Sequence, residues 1–426
     1  MKIFLKGYFF LIFFSIYFHD FSAIDMKAPQ WLSLSIINLV YLSSIIVKYN
    51  KRNILKDIYS NQFFKYFFYF LIAALLSTIW AINQTESLVR LTDLFCIIST
   101  LAISTFIYKE KLITLNYLIG LFVFSLVLDV LGSLNSYRAI SSLVDYNYNL
   151  ANDIRGFYGN KNITSAALAF KIPFAVFLFL NQKRNLYKFL LLVLIFSSFY
   201  VIFLLTARAV FLSIIACMFF LLLVLFIGRL NNKNFKIGFK NSLVYIIPLF
   251  ISLTLFNLTE GDESSLSIQN RVETITSQGD ESISQRLRFY THTLKQFSQT
   301  PLFGIGIGNW KIVSIKYDAE NIYSYVVPYF AHNDLLEILA ETGILGFIPF
   351  FIFILCIFKI NLKNIINYIY GESVFNNVFL TLPFIVYFID MNLNFPLDRP
   401  SMQIFLITYI IIIQIIIDNE NERISS

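Results

Sequence analysis

Apolar residues in this chain come in runs of helix-crossing length, separated by short polar stretches. The runs occupy residues 3–18, 31–47, 63–82, 88–108, 112–131, 163–180, 186–205, 209–227, 243–258, 335–358, 374–392 and 402–417. Crossing roughly 30 Å of hydrocarbon takes about 20 mostly apolar residues per helix, and a helix satisfies its own backbone there. The pattern therefore predicts an all-α integral membrane protein of about twelve transmembrane helices. The first run is short and follows Lys2 and Lys6, so a cleaved signal peptide competes with a first helix for that stretch.

Most connections are short, but two are long: 132–162, and 259–331 between the ninth and tenth helices. Loops of such length usually carry function. Inside the larger one, 285–299 sets Leu287, Tyr290, Leu294 and Phe297 at helical spacing and leaves Arg288, His292 and Lys295 on a polar face. Thr300-Pro301 ends that helix. The expected division is thus nine helices over 1–258, a large loop containing short helices over 259–331, and three helices over 332–426. There is no long internal repeat.

Lysines and arginines set the orientation, because short cytoplasmic loops retain them. Lys48, Lys51, Arg52, Lys56 and Lys65 fall in one loop; Lys109 and Lys111 follow two helices later. Then come Lys183, Arg184 and Lys188, next Arg229, Lys233, Lys236 and Lys240, and last Lys359 and Lys363. All map to one side, which makes both termini cytoplasmic and turns the two long loops outward, into the periplasm of a Gram-negative cell.

Composition agrees: with 57% hydrophobic and 14% charged residues, the chain has more apolar surface than a water-soluble fold can bury. The net charge of +7 sits in clusters between apolar runs, where it orients the protein in membrane lipid; no nucleic-acid partner is expected. Cys96, Cys217 and Cys356 each lie inside an apolar run without metal-ligand spacing, and read as small core residues.

The stretch from Gln285 and Arg286 through Pro301-Leu-Phe-Gly304-Ile-Gly306-Ile-Gly308-Asn309-Trp310 is followed by Ala331-His332-Asn333-Asp334, Glu337 and Glu341-Thr-Gly343-Ile-Leu-Gly346. Together they combine an arginine opening an amphipathic helix, a glycine-alternating turn, and a His-Asn at the mouth of a membrane helix. This region resembles the signature of the O-antigen ligase and polymerase superfamily, most strongly over 285–350. Gly156-Phe157-Tyr158-Gly159-Asn160-Lys161-Asn162 looks like the family's outer-loop element, and Phe395-Pro396-Leu397-Asp398-Arg399-Pro400 like the segment before its last helix. Leu205-Thr206-Ala207-Arg208 is similar to its Ser-Arg motif, although Ala207 stands where the family has serine and Ala209 where it has glycine. Independently of the resemblance, the loop charges place Arg155, Lys161, Arg208, Arg286, Arg288, His332, Asp398 and Arg399 on one side of the membrane, as a site assembled in one compartment requires.

The resemblance implies a lipid-linked glycan transferase in a bacterial inner membrane: an inverting, metal-independent reaction that moves a glycan from undecaprenyl diphosphate to an acceptor sugar, such as the lipid A core, at the periplasmic face, with no cofactor. The departing diphosphate is negative, and guanidinium groups bind phosphate oxygens in bidentate fashion. The attacking hydroxyl must lose a proton, a task for a positioned histidine or carboxylate. His332, Arg286 and Arg208 are the candidate catalytic residues. Arg288, Arg155, Lys161 and Arg399 are candidates for binding the diphosphate, and Glu337 and Glu341 for an alternative base or for ion-pair partners of an arginine.

Each residue also has a plainer reading. Arg208 fits an interfacial anchor, Arg288 a solvated helix face, and His332 a cap beside Asn333. The glycines at 304, 306 and 308 lack the preceding strand of a dinucleotide site and suit a tight turn whose backbone approaches a ligand or the membrane surface. At the level of function, a polymerase, in which the acceptor is another lipid-linked repeat, shares the signature. A protein O-oligosaccharyltransferase usually has further sequence at its C-terminus. A transporter predicts charges deep in several helices and symmetric halves, whereas ionisable groups here concentrate at one face.

Overall fold

The computed structural model describes residues 2–18, 27–49, 53–142, 150–154, 156–231, 235–260, 281–322, 328–371 and 373–425. Over these the protein is helical, without a strand. Ten helices are long and apolar enough to cross a bilayer. These are α2 (Ala28–Tyr49), α4 (Gln62–Ser77), α5 (Gln84–Lys109), α6 (Leu115–Ser141), α7 (Lys161–Asn181), α8 (Asn185–Leu205), α9 (Arg208–Leu230), α10 (Phe235–Glu260), α13 (Asp334–Tyr370) and α15 (Pro400–Ser425). The first expected run folds as the shorter α1 (Lys2–Ser15), and the eleventh as a 3-10 stretch, Phe375–Thr381, leading into α14 (Leu382–Leu393). Three shorter helices complete the set: α3 (Asn53–Ser60), α11 (Glu281–Gln299) and α12 (Trp310–Asp318), the last two within the large loop. The protein is a multi-pass membrane protein.

The core lies along α15 and α7, whose most apolar windows are 89% and 83% buried; other spans, α9 among them, leave side chains such as Ile215, Phe219 and Phe226 outside, as a lipid-facing ring does. Asparagine caps start several helices: Asn83 for α5, Asn160 for α7 and Asn333 for α13 each accept a backbone amide of the first turn.

Two features depart from the sequence pattern. The break expected at Gly132 is absent, and α6 continues to Ser141. Gly132 serves packing instead: a Cβ there would stand 2.5 Å from the Phe157 ring of the Gly156–Tyr158 turn. The second departure is an ion pair in the interior. Lys171, halfway along α7, meets Asp129 of α6, and both are fully buried. Lys171 Nζ also lies 3.1 Å from Ser125 Oγ and 3.0 Å from the Tyr158 hydroxyl. Ionisable groups are therefore not confined to one face, as the sequence suggested.

Candidate active site

The glycine-alternating turn is built into a membrane helix. At 37 residues α13 would run about 55 Å unbroken, but Gly343 (φ 61°, ψ −165°) interrupts it. A break at membrane depth frees carbonyls and amides that lipid cannot satisfy. The turn satisfies them: Ile305 and Gly306 donate to the carbonyls of Ala340 and Glu341 (3.2 and 2.9 Å), while Ile344 and Leu345 donate to those of Pro301 and Leu302 (2.9 and 3.4 Å). Such contact demands glycine. A Cβ on Gly304 would stand 2.3 Å from the Glu341 backbone, and one on Gly343 2.4 Å from that of Leu302. On its other side the turn is fastened to the first turn of α5, where Asn309 Nδ2 donates to Ser87 Oγ (2.7 Å) and Ser87 Oγ to the Ile307 carbonyl (2.6 Å). The glycines thus let the turn pack closely against neighbouring backbone.

Glu337 and Glu341 likewise meet backbone. Glu337 accepts from the amide of Ala331 (2.7 Å) and Glu341 from that of Trp310, the first residue of α12 (2.8 Å). Neither forms an ion pair with an arginine among the described residues. The arginine in their vicinity is Arg90 of α5, a residue the sequence reading passed over inside an apolar run.

On this platform the mouth of α13 presents His332. Asn333 does the capping, accepting from Leu336 (3.1 Å), so the imidazole is not needed as a cap; His332 itself sits in the left-handed region at φ 57°. The Tyr290 hydroxyl lies 3.1 Å from its carbonyl and 2.7 Å from that of Asn392, and Phe289 stacks over the imidazole at 6.3 Å. These contacts fix which face of α11 turns inward. Phe289, Thr293 and Gln296 are buried, whereas Leu287 and Leu294, expected on the apolar face, are 58% and 49% exposed.

The imidazole lies in a field of arginines. Burial, then Arg286 and Arg399, push its pKa down to about 4, against a hydrogen bond to the Leu393 carbonyl that favours the proton. It is neutral near pH 7, and its Nδ1 has no hydrogen-bond partner among the described residues. Burial also lowers the Arg286 pKa, and nearby Arg208 adds to the effect. Arg399 is 2% exposed, its pKa lowered by burial, with Asp390 3.6 Å from Nη1 as its acidic neighbour. Arg208 opens α9 directly after a tight turn in which Thr206 takes φ 51°; Ala207, in the capping position, offers no side-chain bond. The structure thus gathers His332, Arg286, Arg208 and Arg399 into one electropositive cluster.

The remaining candidates fall elsewhere. Arg288 pairs with Asp318 of α12 through two bonds, 2.6 and 3.2 Å, tying the loop helices together. Lys161 begins α7 behind its Asn160 cap. Arg155 lies outside the described residues.

A family model described as O-antigen ligase matches residues 193–351, a stretch that contains Arg208, Arg286 and His332. Over that stretch the chain is similar to the O-antigen ligase family. No curated protein matches it. The ligase-family match runs from α8 to just beyond the break in α13, so the glycine turn, the broken helix and three members of the cluster fall inside it, while Arg399 and Arg90 fall outside.

Beside the cluster lies a cleft of about 650 Å³ between α2, α5 and the mouth of α13. Arg90 bridges Asp93 (3.2 Å) and Asp398 (3.1 Å), Lys27 also pairs with Asp398, and Lys311 pairs with Glu86 (2.5 Å). One stack of side chains joins cleft to cluster: Lys27 lies 5.4 Å from the Phe330 ring, Phe330 stacks on Phe395 at 3.8 Å, and Arg399 lies 4.3 Å beyond Phe395. His332 meets the edge of the same Phe395 ring at 5.4 Å.

Proposed function

We propose that this protein transfers a glycan from undecaprenyl diphosphate to an acceptor sugar, the lipid A core, at the periplasmic face of a bacterial inner membrane. One observation carries the reading: Arg286 and Arg399 act on a neutral, half-buried imidazole, and Arg208 stands beside Arg286. Guanidiniums drawn together beside an imidazole offer the fork geometry and positive charge that diphosphate oxygens take.

In the reaction this reading requires, the acceptor hydroxyl oxygen attacks the anomeric carbon as the bond from that carbon to the diphosphate oxygen breaks. The hydroxyl proton passes to His332 Nδ1, and the diphosphate leaves carrying the electron pair, its charge met by Arg286 and Arg208. Attack opposite the leaving group inverts the anomeric centre, and no metal takes part. The bound diphosphate also opposes the arginine field that depresses the imidazole pKa, so His332 becomes a stronger base when the donor is in place. Arg399, packed between Phe395 and Asp390, holds the imidazole's surroundings and contributes charge.

The test is an electrophoretic profile of lipopolysaccharide from cells lacking the protein, with extraction of their lipid-linked glycans. Bare core with polymerised glycan retained on the carrier is expected. Core bearing a single repeat would make the protein a polymerase, and an unchanged profile would contradict both readings.

A further inference from the structure

We infer that the cleft between α2, α5 and α13 seats the acceptor, and that it takes an uncharged or amino-substituted sugar rather than a phosphorylated one. The inference rests on the transferase reading and assigns the acceptor a place apart from the diphosphate. At about 650 Å³ the cleft falls within the roughly 300–1,000 Å³ of ordinary ligand pockets. Three aromatic rings line it, Trp31, Tyr329 and Phe330, which offer the apolar faces on which sugar C–H groups pack.

Its charges are paired among themselves, whereas Arg286 and Arg399 both act on His332. Each of its cations is engaged by a carboxylate, Arg90 by Asp93 and Asp398, Lys27 by Asp398 and Lys311 by Glu86, so a phosphate entering it finds its cations already matched while sugar hydroxyls and ammonium groups find acceptors. The carboxylates are held in place: Arg90 fixes Asp93 and Asp398, and Lys311 fixes Glu86. Asp93 and Glu86 are each engaged through one oxygen and keep lone pairs for a hydroxyl, and rigid partners reduce the ordering cost of binding. The Phe330–Phe395 stack separates the two regions by a single pair of rings. A sugar lying in the cleft therefore brings its terminal hydroxyl over the edge of Phe395, where His332 stands.

The experiment is calorimetric titration of the full-length protein in nanodiscs with two probes: dephosphorylated core oligosaccharide from cells lacking the protein, and inorganic pyrophosphate. Trp31→Ala and Asp93→Asn are expected to weaken oligosaccharide binding at least tenfold and leave pyrophosphate binding unchanged; Arg286→Ala is expected to do the reverse. Tyr329→Ala, at a side chain 59% exposed and so harmless to packing, is expected to weaken the oligosaccharide as well, which covers a failure of Trp31→Ala to fold. Oligosaccharide binding that is absent in the wild type, unaltered by the cleft variants, or lost only with Arg286→Ala overturns the assignment. Because binding is read without turnover, absence of transfer would contradict the transferase reading while leaving this result distinct.

Discussion

The amide of Gly306 donates to the carbonyl of Glu341 at 2.9 Å, and this bond makes the glycine turn and the broken helix a single unit. Gly304 takes φ 68°, and a Cβ on it would stand 2.3 Å from the Glu341 backbone. Gly304→Ala is therefore expected to cost at least about 1–3 kcal/mol of stability and to lower the melting temperature in detergent. Gly120→Ala, where nothing stands within 4 Å of the added Cβ, is the control and is expected to melt at or above the wild-type temperature. Equal melting of the two variants would contradict the role given to the turn.

Lys171 and Asp129 neutralise one another inside the bundle, where neither charge is tolerable alone. Asp129→Asn leaves the ammonium without its counter-charge and is expected to destabilise by about 3–5 kcal/mol. The double variant Asp129→Asn with Lys171→Met removes both charges and is expected to recover most of that loss. Thermal melts of the three proteins check it; a double variant no more stable than Asp129→Asn would show that the pair acts otherwise.

The His332 imidazole titrates at about 4, below the ordinary value near 6.5, so the folded protein holds this proton less readily than the unfolded chain. The stability this confers is complete above about pH 6.5 and is lost as pH falls through about 4. For activity, kcat/KM for the donor reports the free protein and is expected to stay level from pH 7 to about 5 before falling toward 4. The acid limb of kcat, with diphosphate bound beside the imidazole, is expected at higher pH. A limb near pH 6.5 in kcat/KM, or one absent from both profiles, would contradict the role of His332.

The helical membrane fold was legible in the sequence because spacing between charged loops and apolar runs is imposed by bilayer thickness. So was the grouping of Arg208, Arg286, His332 and Arg399, since a shared side and the motif pattern both point to it. What the pattern concealed has physical causes. Leu287 and Leu294 suggested the wrong face of α11 because periodicity shows that one face is buried, while the partner that buries it, here the imidazole and its neighbours, decides which. Arg90 and Lys171 hid inside apolar runs, where a single charge scarcely alters mean hydropathy and its partner lies on another helix. Glu337 and Glu341 suggested arginine partners, yet the amides of Ala331 and Trp310 in the flanking segments meet them instead.

The most direct test of the account is transfer by purified protein in liposomes containing lipid-linked glycan and core lipopolysaccharide, with product glycan and released undecaprenyl diphosphate both measured. Wild-type protein is expected to form them in equal amounts. His332→Ala is expected to lose about 10²- to 10⁴-fold in rate and Arg286→Ala a comparable amount, with both variants inserted and folded. Undiminished transfer by the two variants would contradict the central claim that the arginine-ringed imidazole carries the reaction.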